Sequence, residues 1–168
     1  MRRLFLCMIL VSWYTLLKAQ YEGMEYYQEQ DPAVKVKLEQ WQDLKFGFFV
    51  HWGPYSQKGY CESWTICTED VDWIQRDTII SYDEYYRNYV NLKKTFNPVK
   101  FNPEYWADLA KEAGMKYFVF TTKHHDGFCM WDTKETDYKI TSSECPYHTA
   151  PNPDILKELF GAFQKRDF

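Results

Sequence analysis

Two short stretches of the chain hold the residue types that do chemistry. The apolar run FGFFV ends in His51-Trp52-Gly53, and the run MKYFVF leads into TTKHHDGF, which sets His124 and His125 side by side ahead of Asp126-Gly127. Between them the segment CESW adds Glu62 and Trp64. Three imidazoles can ligate a metal, fill structural roles at strand ends, or clamp hydroxyl groups. A metal site needs an acceptor behind each imidazole to orient it, and Asp126 could serve only one of the three. The cysteine and histidine spacings also form no C-x-x-C zinc pattern. A structural role explains one histidine at a strand end more easily than three beside a tryptophan. Hydroxyl recognition uses the whole set: a neutral imidazole offers one donor and one acceptor, Trp52 and Trp64 offer apolar ring faces, and Glu62 adds a carboxylate.

The elements must bring these residues to one place. Successive strand residues point to opposite faces, so adjacent histidines share a pocket only where the chain is leaving the strand. The Asp126-Gly127 turn supplies that exit. The run from Phe46 to Gly53 therefore reads as a buried strand with a polar tip, and MKYFVFTT as a second strand apolar enough to be covered on both faces. Ahead of them, Asp31-Pro32 caps a helix with Val34, Leu38, Trp41 and Leu44 at helical spacing. An excursion from Pro54 to Phe101 contains a helix opened by Ser81 and Glu84, a capping-box pair. Asn102-Pro103 starts a helix with Trp106, Leu109, Ala110 and Ala113 on one face, closed by Gly114. After a loop from His124 to Pro151, Asn152-Pro153 starts a last helix carrying Ile155, Leu156, Leu159, Phe160 and Phe163. This alternation predicts an α/β fold of parallel βα units. Both polar tips lie at the C-terminal ends of strands, where (β/α)8 barrels build their sites. Two units cannot close a barrel, so the expectation is the N-terminal portion of one, truncated after about two βα units.

Composition sets the surroundings. Residues 1–19 have the charged start and apolar run of a signal peptide, and the apolar run is too short for a confident membrane span of roughly 20 residues. Their removal takes away Arg2, Arg3 and Lys18 and moves the formal charge from -4 to -7. An acidic exported chain (periplasmic, secreted or lysosome-like) argues against nucleic acid or an anionic membrane as its partner. Four cysteines then remain, with Cys61 and Cys67 close enough in sequence for a local bridge. The chain has seven Trp and fourteen Tyr, an excess that suits carbohydrate contact as well as core packing.

KFGFFVHWGPYS, CESW and KYFVFTTKHHDGFCMWDTKETDYKIT resemble, in order and spacing, the N-terminal part of the catalytic domain of family 29 glycoside hydrolases, the α-L-fucosidases. The likeness runs from about Pro32 to Phe168. It implies a TIM-like barrel, a retaining exo-glycosidase releasing L-fucose, fucosylated glycans or small fucosides as partners, and neither metal nor cofactor. It assigns His51, His124 and His125 to fucose hydroxyls, with Trp64 near the sugar, while Trp52 is a substrate-binding candidate from its place beside His51 alone. It makes Glu62 a candidate acid/base, and Trp131 and Asp132 pocket wall. The family's nucleophilic aspartate follows a later strand and matches no residue of this chain. Asp126 is accounted for by its turn. The expectation is therefore a fragment, residues 20–168, that carries part of the sugar site and is inactive alone. The alternative is a lectin-like fucose-binding module without hydrolysis.

Overall fold

The computed structural model describes residues 29–68, 74, 76 and 79–168. The expected signal peptide lies outside them. Residues 1–43 and 44–168 form two units. In the first, helix α1 spans Pro32–Asp43. The Asp31 carboxylate accepts from the Ala33 N–H at 2.8 Å, and Pro32 occupies a position whose missing N–H costs nothing. Val34, Leu38 and Trp41 fall at helical spacing, yet all three are exposed.

The second unit is built on two parallel strands, β1 (Gly47–His51) and β2 (Tyr117–Thr121), which pair Gly47 with Tyr117 and His51 with Thr121. Gly47 is required at its place. A Cβ there would sit 2.3 Å from the Tyr117 ring, far inside van der Waals contact. The even-numbered residues of both strands face the helices. Phe118 stacks on Phe163 with ring centroids 3.9 Å apart, and Phe48 on the same ring at 5.8 Å. The odd-numbered face is open: Phe49 is 62% exposed and Val119 38%. The expectation of strands covered on both faces is thus corrected. Their apolar sequence fits two covered faces, but the described residues cover one.

Helix α2 spans Tyr82–Val90, α3 Pro103–Glu112 and α4 Ile155–Gln164. Ser81 caps α2 by accepting from the Glu84 N–H at 3.2 Å, and Asn102 caps α3 by accepting from Tyr105 at 3.0 Å. Helix α4 starts two residues later than the Asn152-Pro153 signal suggests. Its cap is Asp154, whose carboxylate accepts from the Lys157 N–H at 2.9 Å. At the far end of α3, Gly114 adopts φ +81°. The Met115 N–H then reaches the Ala110 carbonyl and the Gly114 N–H that of Lys111, both at 3.0 Å, the paired bonds of a Schellman stop.

Ile155, Leu159, Ala162 and Phe163 of α4 meet Ala107 and Ala110 of α3 in the core, with Trp106 partly buried beside them. Leu109 and Ala113, expected on that face, are exposed instead. The stripe that packs is the one through 106, 107 and 110. The segment from His124 to Pro151 is more than a connecting loop, because Phe128, Met130, Ile140, Cys145 and Tyr147 are all buried in the same core. Two backbone bonds pin it: the Met130 N–H donates to the Thr122 carbonyl at 3.1 Å, and the Leu156 N–H to the Met130 carbonyl at 3.0 Å. A second, smaller cluster gathers Tyr55, Tyr89 and Leu92.

Candidate functional site

The parallel register places the end of β1 beside the start of the exit from β2, and this brings His51 to His124. Their rings meet edge to face at 5.6 Å. His124 and His125 stand nearly perpendicular, 83° apart, with centroids at 4.7 Å. The turn that allows it is closed by the Gly127 N–H donating to the His124 carbonyl at 3.0 Å, with Gly127 at φ +81°. Trp64 reaches over both rings, 5.7 Å from His124 and 4.8 Å from His125. Four of the six sequence candidates, from three separate segments, thus form one cluster.

Glu62 joins it as the fifth. Its Oε1 lies 3.2 Å from His51 Nδ1, and its Oε2 accepts from the Cys61 thiol at 3.2 Å. That hydrogen bond, with a smaller contribution from burial, pushes the Cys61 thiol up from its ordinary value. Glu62 holds φ +44°, a left-handed backbone that costs a non-glycine residue about 1–2 kcal/mol and that concentrates at functional sites. Cys61 and Cys67 are both free thiols, so the local bridge is not formed.

Trp52 does not join the cluster. It follows His51 by one residue and therefore leaves the strand on the opposite face, where its ring packs against Phe101 and Trp106 at 5.3 Å each and Phe96 at 5.9 Å. It is a core side chain on the helix side of the sheet. Asp132 is likewise engaged elsewhere. It bonds Lys139 at 2.9 Å and Thr141 at 2.8 Å, and its N–H donates to the Asp154 carboxylate at 3.1 Å. Trp131 beside it is half-buried.

Three residues that sequence reasoning passed over complete the surroundings. Ser63 is 1% exposed, and its Oγ lies 2.5 Å from His124 Nδ1 while accepting from the Asp126 N–H at 3.2 Å. The Ser63 backbone N–H also donates to His124 Nδ1, at 3.4 Å. The Tyr55 ring flanks His124 at 6.1 Å, and its hydroxyl is buried with no hydrogen-bond partner among the described residues. Tyr89 donates its hydroxyl to Asp126 Oδ2 at 2.9 Å, while Asp126 Oδ1 accepts from the Phe128 N–H at 3.1 Å. Asp126 is thus held by its turn and by Tyr89. Burial pushes its carboxyl up, and these hydrogen bonds pull in the other direction.

His124 is pushed below the ordinary imidazole value, first by burial and then by the neighbouring His125 and His51, with Glu62 opposing. Its Nε2 makes no hydrogen bond to a described residue, and neither ring nitrogen of His125 does. A cluster with open imidazole edges, an indole face and one carboxylate can grip a polyhydroxylated ring through hydrogen bonds and stacking.

The family model of the alpha-L-fucosidases matches residues 15–168. This chain belongs to that family. It is 33% identical to the tissue alpha-L-fucosidase of Bos taurus over 138 residues, which are 77% of this chain and 27% of that protein. The chain therefore spans about a quarter of the length of the curated relatives it matches. Among solved fucosidase structures, the family 29 enzyme of Bacteroides thetaiotaomicron, trapped as a covalent intermediate with 2-fluoro-fucosyl fluoride, aligns with TM-score 0.60 at 33% identity, covering 89% of this chain and 31% of that one. The Lactobacillus casei fucosidase bound to its alpha-L-fucose product aligns with TM-score 0.56 at 34% identity, covering 78% of this chain and 37% of that one.

Proposed function

We propose that these residues are the sugar-gripping opening of a retaining α-L-fucosidase barrel, the N-terminal portion of a (β/α)8 fold after about two βα units. The observation that carries this is the meeting of His51, Glu62, Trp64, His124 and His125 from two strand ends and one loop. On this reading the three imidazoles hold the hydroxyls of L-fucose and Trp64 lies along an apolar face of the sugar. Trp52 supports the site from behind the sheet.

A retaining glycosidase needs two carboxylates about 5–5.5 Å apart, one to protonate the leaving oxygen and one to form the covalent sugar ester. Glu62 is the candidate for the first role. It stands within reach of His51, and its left-handed backbone holds it at the rim of the cluster. No residue of these 168 is assigned the second role, since Asp126 already spends both oxygens on Tyr89 and its own turn. The proposed substrates are fucosylated glycans or small fucosides, with the chemistry requiring no cofactor. Export to a periplasmic, secreted or lysosome-like compartment remains part of the proposal, resting on the apolar leader and on the kinship with the bovine tissue enzyme. Among the described residues no helix is long and apolar enough to cross a membrane.

The test is a fluorescence titration of this chain with L-fucose, alongside hydrolysis of a chromogenic α-L-fucoside. Saturable binding that His124→Ala removes, without turnover, is the expected result. Turnover by these 168 residues would overturn the missing nucleophile, and binding untouched by His124→Ala would overturn the clamp.

A further inference from the structure

We propose that Ser63 is a positioning residue that fixes the proton of His124 on Nε2, so that this imidazole faces its ligand as a hydrogen-bond donor only. The proposal rests on the sugar-clamp reading of the site for its consequence but not for its premise, which is geometric.

Two groups of Ser63 aim at His124 Nδ1: the hydroxyl at 2.5 Å and the backbone N–H at 3.4 Å. A hydroxyl can donate or accept, so alone it would leave the tautomer open. The backbone N–H can only donate. Were Nδ1 protonated, two N–H groups would point at each other in a place where Ser63 is 1% exposed and no water can separate them. Nδ1 must therefore be the acceptor. The hydroxyl agrees with this. Its oxygen already accepts from the Asp126 N–H at 3.2 Å, which leaves its own hydrogen for Nδ1. In a neutral ring with Nδ1 accepting, the single proton is on Nε2, and Nε2 is the nitrogen without a partner among the described residues. The imidazolium form is disfavoured on the same grounds, since it would restore the proton to Nδ1.

The charged and titratable groups around this ring are His51 at 5.6 Å, His125 at 4.7 Å and Tyr55 at 6.1 Å between ring centroids, with Glu62 bonded to His51 and Asp126 tied to Ser63 through its backbone. None of them bonds His124 in the described structure, so Ser63 alone sets its polarity. The consequence is specificity. A clamp that can only donate accepts a hydroxyl oxygen through its lone pairs and rejects a ligand that presents a hydrogen there, which a freely tautomerising histidine would tolerate.

The experiment is a long-range proton–nitrogen correlation spectrum of this chain labelled with nitrogen-15 in its histidines, in the absence of sugar, for the wild type, Ser63→Ala and Ser63→Thr. The expected wild-type signature is a protonated Nε2 and a bare, hydrogen-bonded Nδ1 at His124. Ser63→Ala keeps that tautomer through the backbone N–H but moves the Nδ1 signal toward that of an unbonded nitrogen, because the hydroxyl contact is gone, and Ser63→Thr restores it. A three- to tenfold loss of L-fucose affinity should follow in Ser63→Ala, about the worth of one net hydrogen bond. A wild-type His124 protonated on Nδ1, or charged at neutral pH, would overturn the assignment. The expected tautomer with no L-fucose binding by the wild type would support Ser63 and overturn the sugar-clamp reading instead.

Discussion

Replacing Tyr89 with Phe isolates one hydrogen bond behind the site. The ring stays, and with it the stacking on Tyr60, whose plane lies 10° from that of Tyr89 at 6.4 Å. Only the hydroxyl that donates to Asp126 Oδ2 at 2.9 Å is lost. Tyr89 is 2% exposed, and burial, followed by the nearby Asp126 carboxylate, pushes its hydroxyl far above the ordinary phenol range, so it donates at every working pH. A hydrogen bond to a charged group is worth about 1.5–3 kcal/mol, against 0.5–1.5 for a neutral pair. Asp126 is raised above its ordinary carboxyl value mainly by burial. Its ionised form therefore costs stability at neutral pH, and the cost fades as pH falls through the raised folded value. The Tyr89 bond offsets part of that cost only while the carboxylate is charged. Tyr89→Phe should then lose about 1.5–3 kcal/mol at neutral pH and roughly half of that once Asp126 is protonated. Denaturant unfolding of the two proteins at stepwise lower pH reads the difference directly. A loss that stays constant with pH, or that is under about 0.5 kcal/mol throughout, would refute the claim that Tyr89 supports a charged Asp126.

Trp64 and Trp52 should separate cleanly. Trp64→Ala should abolish the fluorescence response to L-fucose with little change in unfolding midpoint, whereas Trp52→Ala should cost about 3 kcal/mol of stability by emptying the space between Phe101 and Trp106. Gly47→Ala should lose about 1–3 kcal/mol in thermal unfolding by driving a methyl into the Tyr117 ring. The displacement of His124 below the ordinary imidazole value means that its titration, followed by proton NMR, should have a midpoint below about 6.5. The neutral donor form then persists as pH falls to that point and is lost only beneath it. Asp154→Ala should cost about 1 kcal/mol for the lost α4 cap and also loosen the Asp132 backbone that the same carboxylate holds, visible as faster amide exchange there.

Much of this was legible in the sequence, for local reasons. Ser81 and Asn102 announce helix starts because a short polar side chain before a periodic run has few better uses than accepting an orphan N–H. Gly114 announces a stop because few other residues take its φ. His51, His124 and His125 could be brought together on paper, because parallel strands put their C-terminal ends at one edge of the sheet. What escaped depended on partners distant in the chain. Nothing around Ser63 in CESW shows that its hydroxyl and backbone reach His124, 61 positions away, and nothing near Asp126 points to Tyr89. The buried run from Phe128 to Met130 looked like loop because it lacks a regular period, although its apolar residues find the same core as the helices.

Trp52 is the instructive error, because the rule that places it was available. A strand alternates its faces, so a histidine aimed at the open side of the sheet sends its neighbour to the helix side unless the chain has already turned. After β2 it has turned, at Asp126-Gly127, and adjacent His124 and His125 share a site. After β1 the next residues are Gly53 and Pro54, and the backbone at Gly53 is still extended, with φ -172° and ψ -170°. The alternation therefore carries one residue further, and Trp52 lands among Phe96, Phe101 and Trp106. The same dipeptide position, histidine followed by an aromatic or a second histidine, thus yields a site residue and a core residue in one case and two site residues in the other. The difference lies in where the turn begins. Aromatic excess near a polar tip is then weak support for sugar stacking until the face of each ring is known, and of the two tryptophans only Trp64, delivered by a loop rather than a strand, has the freedom to cover the histidines.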